Sequence, residues 1–372
     1  MSDLLKYKQV NWVDGMKINK DHFIALENHF TALINDLSVQ MLNNNIYGLL
    51  PHRGDRDKFI SIKTIIDNQN YLKVNVESCH AITPGGYRIE ISKEEKGKGN
   101  FTIKNVEAEY DLGTAKEGEM YIILSVDPFS RVPVGKPEPK ELPLRFPYIN
   151  SEYKLHLISV DQFVRDEINL NMLPIGKLKV VDGTIETDQE YIPPCISIGS
   201  HSRLIEFSDY FDINISSLEK STVKIIYDIN EKHASNILTQ IVTHISENLL
   251  SFISNNITRL RWSANSQTPI SIFEFVVTLA RVLKNSFDTK TAEEKEILLN
   301  YFSEHFGILP KLFKQLMDNT ISINYNHIEI YESIIKVENF LKAIRPLFSE
   351  LSKMELIEGK KKKESKKIDI VI

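Results

Sequence analysis

Glycine and proline divide this chain into two different textures. Residues 1–199 hold 13 of the 15 Gly and 11 of the 14 Pro, and residues 200–372 hold the remaining five. Gly permits the backbone angles that turns require, while Pro fixes φ and lacks an N–H, so both interrupt helices. The first part should therefore be built of many short elements and the second of a few long ones. That places a boundary near 200–216.

In the first part Asn19 is positioned to cap a helix over about 19–43, where Phe23, Leu26, Phe30, Leu33, Ile34 and Leu37 recur at steps of three and four. Strand-like runs follow at 59–66, 71–78, 87–92, 101–106, 120–126 and 153–160. Several alternate apolar with polar positions, as in Tyr87, Ile89 and Ile91, which fits sheets wetted on one face. No amphipathic helix separates these runs, so the expectation is an antiparallel β-sandwich over 1–205 rather than βαβ units. Six prolines between 128 and 147 argue against a helix interior or a central strand and predict a long, stiff loop.

The second part, 206–356, reads as a helical bundle, giving an α+β multidomain chain. Ser216-x-x-Glu219 has the form of a capping box, and the pattern then runs to Trp262 without Gly or Pro. A single helix over 217–262 would be about 70 Å long. Its apolar face would carry Ala234, Ile237, Leu238, Ile241, Ile245, Leu249, Phe252 and Leu260. The longest partner, over about 326–356, would span only about 45 Å. Part of the stripe then needs cover, either from a break that folds the helix back or from copies of the same chain. Further helices are expected from Thr268-Pro269 to Phe287, from the Thr291-x-x-Glu294 cap to Gly307, and over 312–317. The last stretch, 357–372, carries six lysines and ends in Ile368, Ile370, Val371 and Ile372. It reads as a solvated tail or as a short motif that adds a strand to a partner's sheet edge.

Catalytic patterns are missing from the sequence. There is no phosphate-binding glycine loop, no nucleophile elbow and no zinc-protease motif. His22 and His29 lie seven apart on the first helix, which suits structural histidines better than metal ligands, and Cys79 and Cys195 build neither a disulfide framework nor a zinc site. No catalytic, cofactor-binding or metal residue is assigned, and an enzyme is not expected. With 45 Lys and Arg against 50 Asp and Glu, the net charge of −5 argues against nucleic-acid capture, and the basic tail has no interleaved aromatics for base stacking. No apolar run is long enough to span a bilayer and the N-terminus has no secretory apolar core, so the expected location is cytoplasmic.

One constellation is specific. Trp12-x-x-Gly15-Met16-x-Ile18-x-x-x-His22-Phe23 resembles the opening motif of the TssK family of type VI secretion baseplate subunits, W-x-E-G-M-x-L-x-P-Q-H-F, with Asp14 for the usual Glu and Lys20 for the usual Pro. In the same order, Tyr191-Ile192-Pro193-Pro194-Cys195-Ile196 is similar to the family segment that closes its β domain. Tyr325-Asn326-His327-Ile328, Phe340-Leu341 and Ile344-Arg345-Pro346-Leu347 resemble its last bundle helix.

The resemblance covers roughly 1–350. It implies a homotrimer with a shell domain similar to phage receptor-binding proteins, docking on a TssF–TssG wedge, and a helical neck that trimerises. The chain would then be a structural adaptor linking the baseplate towards the membrane complex at the inner face of the inner membrane. Family members carry a further C-terminal head that grips the membrane complex, and the sixteen residues after 356 are too few for one, so that contact would fall to the tail. Trp12, Met16, His22 and Phe23 would face the wedge partner, or Trp12, Met16 and Phe23 would instead anchor the first helix to the sandwich. Gly15 is expected in a turn needing positive φ. Ile237, Leu238, Ile241, Ile245, Leu249 and Phe252 would pack the bundle or trimer. A different class of function is a soluble, phage-tail-like module whose sandwich recognises a glycan or peptide.

Overall fold

A computed structural model of the chain describes residues 7–51, 60–68, 71–92, 106–111, 117–163, 170–181 and 184–353. The chain forms two compact units, Met1–Ser202 and Arg203–Ile372.

The first unit opens with α1 (Lys20–Met41), capped by Asn19 as the sequence predicts. Two antiparallel sheets follow. In the first, β3 (Tyr71–Ile82) is the hub and pairs with β1 (Gly48–Leu49), β2 (Ile60–Ile66), β4 (Arg88–Ile91) and β5 (Val106–Asp111). Of the run expected at 101–106, only Val106 is among the described residues, and it begins β5. The second sheet runs β7-β6-β8-β9, with β6 (Gly118–Val134), β7 (Tyr148–Ser159), β8 (Met172–Val181) and β9 (Thr184–Thr187). Leu72, Val74 and Val76 of β3 are buried while Tyr71 and Lys73 are exposed, the alternation of a half-wet strand. The middle of β6 is buried at every position from Met120 to Leu124, so its core stretch reads as a continuous apolar run.

The proline-based expectation of a loop over 128–147 is corrected. Pro128 and Pro133 lie inside β6, not in a loop, and the loop occupies 135–147. The physical reason is that β8 pairs with β6 only up to Ser125. Beyond Val126, whose N–H still reaches the Asn171 carbonyl (3.1 Å), β6 pairs among the described residues on the β7 side alone, and Pro128 falls in an irregularity between Asp127 and Arg131 where no ladder bond is lost. Similarly β8 passes through Pro174 at the bulge where the register skips between Ile122 and Ile123.

The segment after β9 is strapped to β1. Leu49 N–H donates to the Pro194 carbonyl (2.7 Å) and Ile196 N–H donates to that of Leu49 (3.1 Å), and Tyr191 through Cys195 are buried. Gly48 allows this approach: its φ is +109°, and a Cβ there would lie 1.9 Å from the Pro194 oxygen.

Among its described residues the second unit has no strand and consists of helices joined by short connections: α2 (Ser202–Glu231), α3 (Ile237–Trp262), α4 (Ile270–Asp288), α5 (Ala292–Phe306), α6 (Pro310–Ile321) and α7 (Ile330–Leu351). The Thr291–Glu294 capping box starts α5 and Gly307 ends it in the left-handed region, both as predicted. The single 217–262 helix is overturned, and of the two alternatives for its stripe the break that folds it back is the one present. His233 takes a left-handed φ of +50°, Ala234 N–H returns to the Ile229 carbonyl (3.2 Å), and Asn236 with Thr239 forms a fresh capping box that opens α3. Ser216 caps nothing. It sits inside α2, where its hydroxyl accepts from Arg261 (2.6 Å). Two helices of about 45 and 39 Å replace one of about 70 Å.

That break supplies the missing cover. Ile241, Ile245 and Leu249 are buried by the chain itself, and Ile245 points into a small apolar cluster with Leu283, Phe287, Leu298, Phe302 and Phe313. Phe252 is half-buried against Phe275 with ring centroids 5.0 Å apart, Leu238 is half-buried, and Ile237 is exposed. The stripe therefore does not oblige three chains to share it. The segment at 325–328 leads into α7: the Tyr325 hydroxyl bonds His327 Nδ1 (2.7 Å), and Asn326 Oδ1 accepts from Ile328 N–H (3.1 Å). His327, Phe340, Leu341, Ile344 and Leu347 are buried.

Candidate protein-docking surface

One group of exposed apolar residues in the first unit lies on the N-terminal segment and α1. Asn19 starts the helix through reciprocal capping: its Oδ1 accepts from His22 N–H (3.2 Å), and its own N–H donates to His22 Nδ1 (3.2 Å). An accepting Nδ1 places the imidazole proton on Nε2 in the neutral ring. The Trp12 ring lies 6.0 Å from that imidazole. Between them, Gly15 (φ +79°) sits in a turn closed by Met16 N–H donating to the Val13 carbonyl (3.1 Å), the positive φ the sequence predicts.

Anchoring of α1 falls to other side chains. Arg131 donates to Glu27 (2.7 Å) and Asn28 (3.4 Å), His29 Nδ1 donates to the Tyr7 carbonyl (3.0 Å), and the Tyr7 ring rests on Phe129 (4.4 Å). Near the other end Ser38 approaches Gly86, where a Cβ would meet the serine Cβ at 2.6 Å. His29 is the one buried residue of the helix, satisfied by a carbonyl.

The helix is thus turned inside out. Asn28, His29, Asn35 and Ser38 lie on its more buried side, and most of its large apolar side chains meet water. Phe23 (54% exposed), Phe30, Ile34, Leu37 and Met41 (83%) face outward, joined by Trp12 (47%), Val13 and Ile18 before it. Met16 and His22 are half-buried. Contiguous apolar surface of this kind marks interaction sites, because scattered single residues would need no such alignment. Of the residues singled out in the sequence, Trp12, Met16, His22 and Phe23 stand together at the start of this face. Ile18 belongs to the same motif, whereas Val13 and Met41 carry no sequence signal, because periodicity identifies an apolar side without saying what covers it.

A second exposed apolar group lies at 142–149, where Leu142, Leu144, Phe146, Tyr148 and Ile149 surround an open groove beside Pro133. The Glu141 and Arg145 side chains pair there (2.9 Å between Arg145 Nη2 and Glu141 Oε1), and the guanidinium holds the carboxyl below its usual range. Ile368, Ile370, Val371 and Ile372 lie outside the described residues. Among the described residues no group of three or more His, Cys, Asp or Glu is placed to hold a metal ion, and no helix is long and apolar enough to cross a membrane.

No protein-family model matches the chain, and none of the curated proteins matches it by sequence. Solved structures do match. A crystal structure of TssK superposes with a TM-score of 0.52 at 14% identity, covering 91% of this chain and 69% of that one. A chain of the TssK-TssF-TssG baseplate subcomplex of the type VI secretion system, seen by cryo-electron microscopy, gives a TM-score of 0.50 at 13% identity, covering 91% of this chain and 99% of that one. At such identities the likeness establishes the fold, antiparallel sheets with a set of helices, and both of these solved structures are of TssK, a baseplate component found with TssF and TssG.

Proposed function

We propose that this chain is a structural subunit of a type VI secretion baseplate, docking on a TssF–TssG wedge through the face that begins at Trp12, Met16, His22 and Phe23. The observation that carries this reading is the shared fold along 91% of the chain. The outward apolar side of α1 and its N-terminal segment supplies a surface that a partner would dry. The chemistry required of such a subunit is positional. It acts by holding one assembly against another, and as a homotrimer it would present three copies of each contact and gain avidity without new contacts. In this reading the copies meet through the helical unit, and the 357–372 tail, with Ile368, Ile370, Val371 and Ile372, reaches towards the membrane complex at the inner face of the inner membrane.

The test is co-expression of the tagged chain with TssF and TssG from the same secretion system, followed by affinity capture and light scattering. Retention of both wedge proteins, and a free mass near three times 42.8 kDa, are the expected results. Loss of both wedge proteins at micromolar concentration would refute the docking role, and a monomer would refute the trimer. Removing 359–372 should leave the wedge complex intact while weakening capture of a membrane-side component.

A further inference from the structure

We infer that residues 127–131 of β6 are a clamp that fixes which way α1 turns its apolar side, with Arg131 as the positioning residue. That this side docks a partner rests on the wedge reading above, whereas the clamp is a property of the free chain. Its origin is an irregularity in the ladder. Asp127 pairs with Glu152 and Arg131 with Ser151, so one step along β7 is matched by four along β6. Pro128, Phe129 and Ser130 are surplus to the pairing, and excursions of this kind serve to re-aim side chains. The Asp127 carboxylate shapes the excursion by accepting from the N–H groups of Phe129 (2.9 Å) and Ser130 (3.3 Å).

Phe129 and Arg131 both meet the start of the chain. The Tyr7 ring rests on Phe129 with centroids 4.4 Å apart, and the Tyr7 carbonyl accepts from His29 (3.0 Å). Arg131 donates to Glu27 (2.7 Å) and to Asn28 (3.4 Å). The N-terminal segment and the helix thus close on one short stretch of β6.

This grip settles the roll of α1 about its own axis. At about 100° per residue, Asn28 and His29 lie about 140° and 240° round the helix from Phe23, one on each side of the line opposite it. Phe30, Ile34, Leu37 and Met41 fall within about 40° of Phe23, so a grip on both sides of that line holds all five outward. Apolar burial alone would favour the reverse roll. Ala25 and Ala32 occupy the gripped line and bury little area, while Ile24, Leu26 and Leu33 at the flanks are only half-buried. The Arg131 side chain is 27% exposed, so water and salt screen its pairing less than that of an ion pair standing wholly at the surface.

The experiment follows amide exchange in the full chain by mass spectrometry. Arg131→Ala should speed exchange over residues 23–31 of α1 by about tenfold or more. The change should be smaller over 35–41, where Ser38 rests on Gly86, and absent over 71–82 of β3. Glu27→Arg should act in the same way, and combining it with Arg131→Glu should return α1 close to the unmodified rate. Restoration by the reversed pair separates the clamp from a general weakening of β6, which no change on α1 could repair. Unaltered exchange in α1, or no restoration by the reversed pair, would overturn the inference.

Capture of a co-expressed TssF–TssG pair should fall several-fold with Arg131→Ala and recover with the reversed pair. Equal capture by Arg131→Ala and the unmodified chain would also overturn the inference while leaving the docking role standing. If the unmodified chain captures no wedge, the docking role falls, and exchange in the free chain still decides the clamp.

Discussion

Ile245 decides whether α3 is core or contact. It is 5% exposed in the isolated chain and shares a cluster with Leu283 and Phe287 of α4, Leu298 and Phe302 of α5, Phe313 of α6 and Leu347 of α7. Ile245→Ala deletes three carbons, worth about 2.4 kcal/mol at about 0.8 kcal/mol per buried methylene. The unfilled space adds about 1 kcal/mol, since six rigid neighbours from four helices collapse only partly. The sum, about 3.5 kcal/mol, is a large part of a domain's typical 5–15 kcal/mol and raises the unfolded fraction by between two and three decades.

In urea, with a slope of about 2 kcal/mol per molar, the unfolding midpoint of the helical unit should fall by about 1.7 M. The assay is helical circular dichroism against urea at two protein concentrations tenfold apart. The shift should be the same at both, because the lost contacts lie within one chain. Ile245→Asp, which buries a carboxylate among phenylalanines, should abolish the helical signal at every concentration. A variant that keeps its helix content and its midpoint but loses oligomer mass would show that Ile245 faces another copy, and the intrachain packing described here would be refuted.

Three other outcomes are expected. His22→Ala removes the acceptor for Asn19 N–H and should speed amide exchange in the first turn of α1 by an amount matching about 1 kcal/mol, while His22→Gln, which keeps an acceptor at that position, should restore most of the protection. Glu294 has its carboxyl held below the usual value, first by the Thr291 backbone N–H and then by the Thr291 side chain. A lowered folded pKa stabilises above the unfolded value, so the start of α5 should lose protection as pH falls from about 4.3 through the lower folded value, and Glu294→Gln should show no such dependence in hydrogen exchange. Burial pushes the Cys79 thiol up to about 12 and raises that of Cys195 as well, so neither should react with a thiol reagent at pH 8 until urea unfolds the chain, and fast reaction of the native protein would contradict their burial.

The helical break explains why one expectation failed. Sequence punctuation was sought as Gly or Pro, and the chain stops α2 with His233 in the left-handed region, a conformation that costs an ordinary residue about 1–2 kcal/mol. The Asn236–Thr239 box that restarts α3 is a local signal and was legible in principle. The prolines of β6 failed in the opposite sense. Pro128 and Pro133 deny a central strand only where both edges are paired, and whether β8 extends past Ser125 is not written in β6. The strand β8 was missed for the same reason, since Pro174 and Gly176 punctuate a run that a bulge accommodates.

By itself the sequence determined the local elements: the Asn19 and Thr291 caps, the Gly15 and Gly307 turns, the alternation of β4 and the apolar sides of α1 and α3. Those follow from backbone sterics, capping hydrogen bonds and side-chain period, which act within a few residues. Tertiary structure alone decided which apolar sides are dry. In sequence Ile241, Ile245 and Leu249 can be covered by a folded-back chain or by other copies, and their own chain covers them, while Phe23, Phe30, Ile34 and Leu37 look like ordinary core and stand in water. Burial depends on residues far away in the chain: Arg131 binds Glu27 and Asn28 of α1, and α4 through α7 close over α3.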